Sequence, residues 1–600
     1  MRIPGFASNI KVNELTPIQL KDCSLVIDAQ NFFYRSYEDS KISHKFGCES
    51  DKYAEYLRKT LFIFKEANIQ CYFIFKGGHE DFDKREQKRN VNSSLYYAHP
   101  CFMKDIYIKV LDEMDFNYVF CEFEAKRECI ALAQRLKCPI MSFDIEYCFS
   151  GVPYIPKPDF PYNSNSFECE QFNLDNFLKK YSLTKEHLTT FIILTDITIF
   201  PENKFARFFK ALKLPTNNFF KNQKLLEWLS KTPIERANTG IFNFLSSEDK
   251  KKFLIEKFRL LEFICREEIV DIAGNYLLNG NNIDFEIEDP LWFRKGVACG
   301  HIPITYINLY RWHKIFGSWC VEDDDSEDSM QLSIDIIKYA HNLLTNFNGN
   351  DDIVFINKRN DKFIFVPDLV TISKPLYDHN ISPFENGWAD VKTMRLFEHF
   401  LEESMPDFNY QALRALPEDA RVLFVALVFF ARRKGGPVSC EVYSVLLSYV
   451  MLGVVAENVE GDNNNTHVLQ SNCPLLDSTT DKDSVLGIDC EKATSAMRKY
   501  FDATTSENEM FDSKLIHPLV EFQHCLHHFN YLNQLCGSSF QSTNYIKTYN
   551  GTFVYQVLYT IKHKYNENIQ DFLRKELSCA ATVLAFLNGL FEIFEEIMYR

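Results

Sequence analysis

The stretch Cys121–Ser150, CEFEAKRECIALAQRLKCPIMSFDIEYCFS, sets a helix between two apolar runs and places acids at both junctions. Asn117-Tyr-Val-Phe-Cys121 leads into it and reads as a short buried strand. From Ala125, apolar residues recur at Cys129, Leu132, Ala133 and Leu136, the spacing of one face of an amphipathic helix. After Lys137, Pro139-Ile-Met-Ser-Phe143 predicts a second buried strand that ends on Asp144-Ile-Glu146. In an open α/β sheet, ligand sites form at the carboxyl edge of the strands. An extended chain would point Asp144 and Glu146 to the same side. Carboxylates aimed at one spot repel each other unless a cation or proton separates them, and hard divalent cations prefer oxygen ligands. The stretch therefore predicts a magnesium-type site.

The same alternation continues upstream. Cys23-Ser-Leu-Val-Ile-Asp28 predicts a strand ending in an acid, Asp51 to Lys65 a helix, and Cys71-Tyr-Phe-Ile-Phe75 a strand ending in Lys76-Gly77-Gly78. Met103, Ile106, Tyr107, Val110, Leu111 and Met114 mark the next helix. Leu183 to Leu194 predicts another, with Thr184 as N-cap and Thr195-Asp196 at its end. Strands alternating with helices indicate βαβ units, so residues 1–200 are expected to form a parallel sheet flanked by helices.

The remainder predicts a mainly α-helical region. Residues 201–320 read as a helical extension, in which Lys204 to Lys224 interleaves basic residues with Phe205, Phe208, Phe209, Phe219 and Phe220. The simplest reading of that pattern is a phenylalanine core under a lysine surface. Residues 321–332 hold the acidic run Glu322-Asp-Asp-Asp-Ser-Glu-Asp328, expected to be a solvated linker. Within 333–600, Ile353–Ile356 and Phe363–Val366 suggest a hairpin, and Pro417 with Gly435-Gly436-Pro437 brackets a buried helix. Residues 457–485, rich in Asn, Asp, Ser and Thr, read as a disordered loop. Final helices run through Phe572 to Met598.

Composition narrows the function. The chain of 600 residues carries a net charge of −16, so as a whole it does not attract nucleic acid or an anionic membrane. A nucleic-acid surface would have to be local, and Lys84, Arg85, Lys88 and Arg89 offer one such cluster, with a solvated helix face as the plainer reading. The 55 phenylalanines point to large aromatic cores. The 18 cysteines show no CxxC pair and follow no secretory leader, which predicts reduced thiols inside the cell, in nucleus or cytoplasm. The longest apolar runs, Val422–Ala431 and Val442–Ala456, read as too short or too interrupted to span a bilayer, so no membrane partner is expected. His524-Cys-Leu-His527-His528 puts His524 and His528 on one helical face at zinc-ligand spacing. No third ligand can be read, and a buried helix is the simpler interpretation.

Several features stand in the order used by the flap-endonuclease/XPG nuclease superfamily, whose N-terminal domain is PIN-like. They are the N-terminal MRIPGF, Val26-Ile27-Asp28-Ala29, Phe75-Lys76-Gly77, Glu124-Ala-Lys126 opening a helix, Asp144-Ile-Glu146, and Asp196 after a helix. Gly77-Gly78, the short interval from Lys76 to Glu124 and the long helical region after the PIN-like domain resemble the asteroid family within that superfamily. The resemblance implies a two-metal phosphodiesterase ancestry, with Mg²⁺ or Mn²⁺ clamping the scissile phosphate. It implies Asp28, Glu124, Asp144, Glu146 and Asp196 as metal ligands, and Lys84 or Arg85 as the phosphate contact. DNA or RNA would be the substrate. The short 76–124 interval leaves no room for a long helical arch, and the glycine-rich core of the DNA-binding hairpin is missing from 204–224.

Two positions depart from the pattern. Lys76 stands where the strand motif has Asp, and Lys126 where the helix-opening pair has its second acid. The exchange moves the site from about −7 to about −3 against the charge of two divalent ions. At ~4 Å and an effective dielectric near 20, each ammonium repels a cation by about 4 kcal/mol per unit of its charge. The lysines are therefore expected to pair with the remaining carboxylates and to weaken or abolish two-metal catalysis. Three alternatives stand beside this one. Glu122 with Glu124 restores an acidic pair if the register shifts by two residues, Glu128 reaches inward from the next turn, or Asp144, Glu146 and Asp196 hold a single ion. The chain thus reads as a nucleic-acid-binding protein of structure-specific nuclease descent, with roles in DNA repair implied by the family. The other reading, also implied by the asteroid resemblance, is a regulatory or scaffold protein in receptor signalling that binds protein partners through its helical region.

Overall fold

The structure is a computed structural model that describes residues 3–79, 99–156, 167–201, 203–265, 272–279, 290–317, 320–347, 353–356, 363–365, 373–375, 382–435, 439–461, 481–502 and 511–599. The chain forms two compact units, one of residues 1–35, 59–76 and 115–285, the other of 36–58, 77–114 and 286–600. The expected boundary at residue 200 is therefore not a boundary of either unit. The described residues of 201–285 pack with the α/β part, whereas those of 36–58 and 77–114, inside the expected first domain, pack with the helical part. Sequence order says little about which segments share a core, because a core is assembled by contact.

In the first unit the strands are β1 (Thr16–Leu20), β2 (Ser24–Asp28), β3 (Gln70–Phe75), β4 (Asn117–Phe120), β5 (Ile140–Met141), β6 (Tyr154–Ile155) and β7 (Phe167–Gln171). Five of them form a sheet in the order β4-β3-β2-β5-β6, and every pairing in it is parallel. Continuous apolar runs suit such a sheet, which is covered on both faces; from Cys71 to Phe75 β3 is buried throughout. β1 and β7 form a separate antiparallel ribbon. The helix predicted from the opening stretch spans Ala125–Leu136 and stops at Lys137, whose φ of 51° is left-handed. Thr184 caps the helix Lys185–Thr195 in a reciprocal arrangement with His187.

Phe205 and Phe208 are buried and Arg207, Lys210, Lys213 and Lys224 exposed, as a phenylalanine core under a basic surface requires, although Phe220 also faces solvent.

The second unit is built around Ser513–Leu535, with Arg421–Lys434, Ser439–Val450, Gly551–Lys564 and Ala581–Tyr599 among its larger helices. The helix bracketed by Pro417 ends at Gly435, whose φ of 62° closes it. The predicted hairpin forms as β9 (Val354–Ile356) against β10 (Phe363–Phe365), with β8 (Lys314–Phe316) added in parallel to β9.

Three expectations need correction here. The acidic run is not a solvated linker: Glu322, Asp323 and Asp328 are buried and only Asp324, Asp325 and Glu327 are exposed. Each buried acid accepts hydrogen bonds: Glu322 from the Ser329 amide at 2.9 Å, Asp328 from the Met330 amide at 3.0 Å, and Asp323 from the Ser326 and Ser513 hydroxyls at 2.6 and 3.0 Å. The expected loop at 457–485 begins as helix, over Ala456–Gly461, and ends in a 3₁₀ turn at Lys482–Ser484, while residues 462–480 lie outside the described residues. The run Ser439–Val459 is long and apolar enough to cross a membrane, with a mean hydropathy of 1.6 over its most apolar 18 residues, but 83% of that window is buried inside the fold. A core helix needs the same apolar composition on every face.

Candidate functional site

The carboxyl ends of β2, β3 and β5, with the start of the helix after β4, carry the residues singled out in the sequence. Asp28 closes β2 and is 5% exposed. Its Oδ2 accepts from Asn31 Nδ2 at 2.7 Å, Ser142 Oγ at 3.0 Å and the Tyr147 hydroxyl at 3.2 Å. Burial pushes the Asp28 carboxyl above its ordinary 3.8, and those three hydrogen bonds oppose the rise. A carboxyl raised in the folded state favours folding when protonated, below the unfolded value, and that contribution is lost as pH rises through the folded value. Asp28→Asn is therefore expected to flatten the decline in stability as pH increases from 3.8 toward neutrality, read by urea unfolding at a series of pH values. An unchanged pH slope would show that Asp28 does not titrate in this way.

Asp144 and Glu146 do not lie on an extended strand. β5 ends at Met141, and Asp144 caps a 3₁₀ turn, Ile145–Phe149, by accepting the Glu146 amide at 2.9 Å. Asp favours such caps because its side chain competes with the backbone for nearby amides. Both acids nevertheless meet one partner. Lys126 Nζ lies 2.7 Å from Asp144 Oδ2 and pairs also with Glu146. Lys76, one residue past β3, pairs with Glu124 at the mouth of the helix.

Glu128, the candidate from the next helical turn, points elsewhere: its Oε2 accepts the Ala273 amide at 2.9 Å. Asp196 ends the helix Lys185–Thr195, is 2% exposed, and accepts from the Thr198 amide and hydroxyl, each at 2.8 Å. It lines a small cleft with Pro4, Phe200, Phe209 and Lys221. Lys84, Arg85, Lys88 and Arg89 lie outside the described residues.

The residues present do not fit a pair of hard divalent cations. Such ions need six or more oxygen ligands each from carboxylates, carbonyls and water. Here Asp144 and Glu146 converge on an ammonium, Glu124 is held by a second, and Asp28 is served by four protein donors, the Asn31 amide among them. The arrangement can hold a compact network of ion pairs and hydrogen bonds at the edge of the sheet. Lys126 was legible as a departure from an acidic pattern; that one ammonium would serve both Asp144 and Glu146 depended on the tertiary turn. Tyr147 and Ser142 were missed as partners of Asp28, and no sequence signal distinguishes them from ordinary core residues.

Comparison with known proteins finds two family models that match parts of the chain. A family model for the XPG N-terminal domain matches residues 1–95, and one for the Asteroid N-terminal domain matches residues 419–600. Protein asteroid of Drosophila melanogaster is 19% identical, over 92% of this chain and 86% of that protein. The human protein named single-strand DNA endonuclease ASTE1 is 26% identical over 30% of each chain, so the chain spans under a third of that relative in the match. Among solved structures, the catalytic core of Rad2 in complex with DNA substrate aligns with 51% of this chain and 97% of its own, at 11% identity and a TM-score of 0.29. A superposition that loose carries no residue-level equivalence.

Proposed function

We propose that this chain, which belongs to the asteroid family within the flap-endonuclease/XPG superfamily, is a nucleic-acid-binding protein of structure-specific nuclease descent in which two-metal phosphodiester hydrolysis has been lost. The observation that carries the reading is Lys126, whose ammonium joins Asp144 and Glu146. An ammonium and a divalent cation compete for the same carboxylates, and at contact distance their repulsion is on the order of several kcal/mol. Lys76 on Glu124 adds a second cation of the same kind. Nucleic acid as partner is supported by the likeness to the human single-strand DNA endonuclease ASTE1, and by the exposed Arg207, Lys210, Lys213 and Lys224 on a chain that is otherwise acidic. Basic side chains of this kind bind phosphates without reading sequence.

The test is a Mg²⁺- and Mn²⁺-dependent cleavage assay on flap, overhang and single-stranded DNA and RNA, with binding followed on the same substrates by fluorescence anisotropy. Binding that weakens with salt, and no metal-dependent cleavage, is expected. Cleavage that disappears in Asp144→Ala would make the site a working metal centre and overturn the proposal. Absence of both cleavage and binding would favour the second reading, a regulatory or scaffold protein acting through protein contacts, for which the net charge of −16 speaks.

A further inference from the structure

Within the second unit, Cys101, Cys320 and His524 bring two sulfurs and one imidazole nitrogen within 4.8 Å of one another. Cys101 comes just before the helix Met103–Glu113, Cys320 follows β8, and His524 sits in the middle of Ser513–Leu535. Cys101 Sγ is 3.7 Å from His524 Nδ1. A tetrahedral ion about 2.3 Å from sulfur and about 2.0 Å from nitrogen would set sulfur–nitrogen edges near ~3.6 Å. The edge from Cys101 to His524 already has nearly that length, and the other two stay within 4.8 Å.

Its surroundings resemble those of a metal site as well. His527, one turn along from His524, places Nδ1 2.8 Å from Cys101 Sγ and Nε2 3.5 Å from Asp105 Oδ2. Contacts of this kind to a ligand atom belong to the outer layer that orients ligands around bound metals. His528, the partner that the helical spacing suggested, instead stacks on Tyr306 at 6.1 Å and 21°. The spacing within the HCLHH motif was therefore a poor guide, and the missing ligands come from segments remote in sequence, Cys101 lying 423 positions from His524.

We propose that Cys101, Cys320 and His524 bind a zinc ion, with His527 as a positioning residue on the Cys101 sulfur. Two thiolates and an imidazole suit zinc over magnesium, calcium or manganese. Binding releases thiol protons to solvent, and the two thiolates match the charge of Zn²⁺ within the ligand set. The ion would tie together three segments that the chain otherwise joins only through long connections, a structural role independent of the sheet-edge acids.

The full chain, purified with reductant and dialysed against metal-free buffer, is expected to retain stoichiometric zinc by mass spectrometry of the metal. Cobalt exchanged into it is expected to show tetrahedral visible bands with thiolate charge transfer. Cys320→Ser and His524→Ala should lose the zinc, whereas Cys579→Ser, at an exposed cysteine, should keep it. Should the first two variants fail to fold, stripping the wild-type chain with a chelator decides the matter, since its unfolding temperature must fall and recover when zinc alone is returned. Zinc-free protein with no thermal response to added zinc would overturn the proposal, as would zinc retained by folded Cys320→Ser and His524→Ala, or a Cys101–Cys320 disulfide in the reductant-purified chain.

Discussion

Replacing Lys126 with Glu and Lys76 with Asp is expected to raise Mn²⁺ affinity at the edge of the parallel sheet by at least ~100-fold, about 2.8 kcal/mol. The direction follows from charge. Lys126 neutralises the two acids that end the opening stretch, and Lys76 holds Glu124. Exchanging both ammonium groups for carboxylates moves the site by about four charge units toward the demand of divalent cations. The gain is set well below the bare Coulomb energy because freed lysines in the wild type would swing into solvent to let an ion enter. Lys126→Glu alone should supply the larger share, since its Nζ contacts two carboxylates and Lys76 one. Calorimetric titration with Mn²⁺ reads the affinity, and the cleavage assay on single-stranded DNA reads whether binding restores chemistry. An affinity equal to wild type in a folded double variant would mean that the ammonium groups are not what excludes the metal.

Phe6→Ala is expected to destabilise the first unit by about 3–5 kcal/mol. Phe6 is 1% exposed and packs on Phe149 at 5.3 Å, Phe191 at 5.6 Å and Phe177 at 6.4 Å. The surrounding rings come from three separate segments, so the cavity left behind has little freedom to collapse. Phe149 ends the 3₁₀ turn that presents Asp144 and Glu146, and loosening it should also loosen their shared hold on Lys126. Gly5, just before it, has φ of 74°, and a Cβ there would meet the Phe219 amide nitrogen at 2.9 Å, so Gly5→Ala should be destabilising in the same direction. Chemical unfolding of the full chain measures both. A Phe6→Ala change below about 1 kcal/mol would show that the N-terminal segment is peripheral to this core.

Much of the fold was legible because its signals are local. Cys23–Asp28 and Cys71–Phe75 are apolar runs of strand length, as a strand covered on both faces requires, and they form β2 and β3 of the sheet. Ala125–Leu136 carries helical periodicity and Thr184 a cap, and both stand where the spacing put them. The candidate site was legible by position and less so by geometry. Asp28, Lys76, Glu124 and Lys126 follow from strand ends and a helix start, but Asp144 and Glu146 sit on a 3₁₀ turn because an Asp side chain captured a nearby amide.

Taken alone, the sequence determined a parallel sheet with acids and two lysines at its carboxyl edge, since hydrophobic period and residue identity are properties of neighbours along the chain. Tertiary structure alone decided that one lysine serves both Asp144 and Glu146, and that Asp28 is satisfied by Asn31, Ser142 and Tyr147. It also decided that Glu322 and Asp328 are buried, and that Cys101 and Cys320 meet His524 rather than remaining scattered thiols. The physical reason is the same in each case. Ion pairing, desolvation and metal-type geometry depend on distances of a few ångströms between residues far apart in sequence, and no pattern of neighbours encodes those distances.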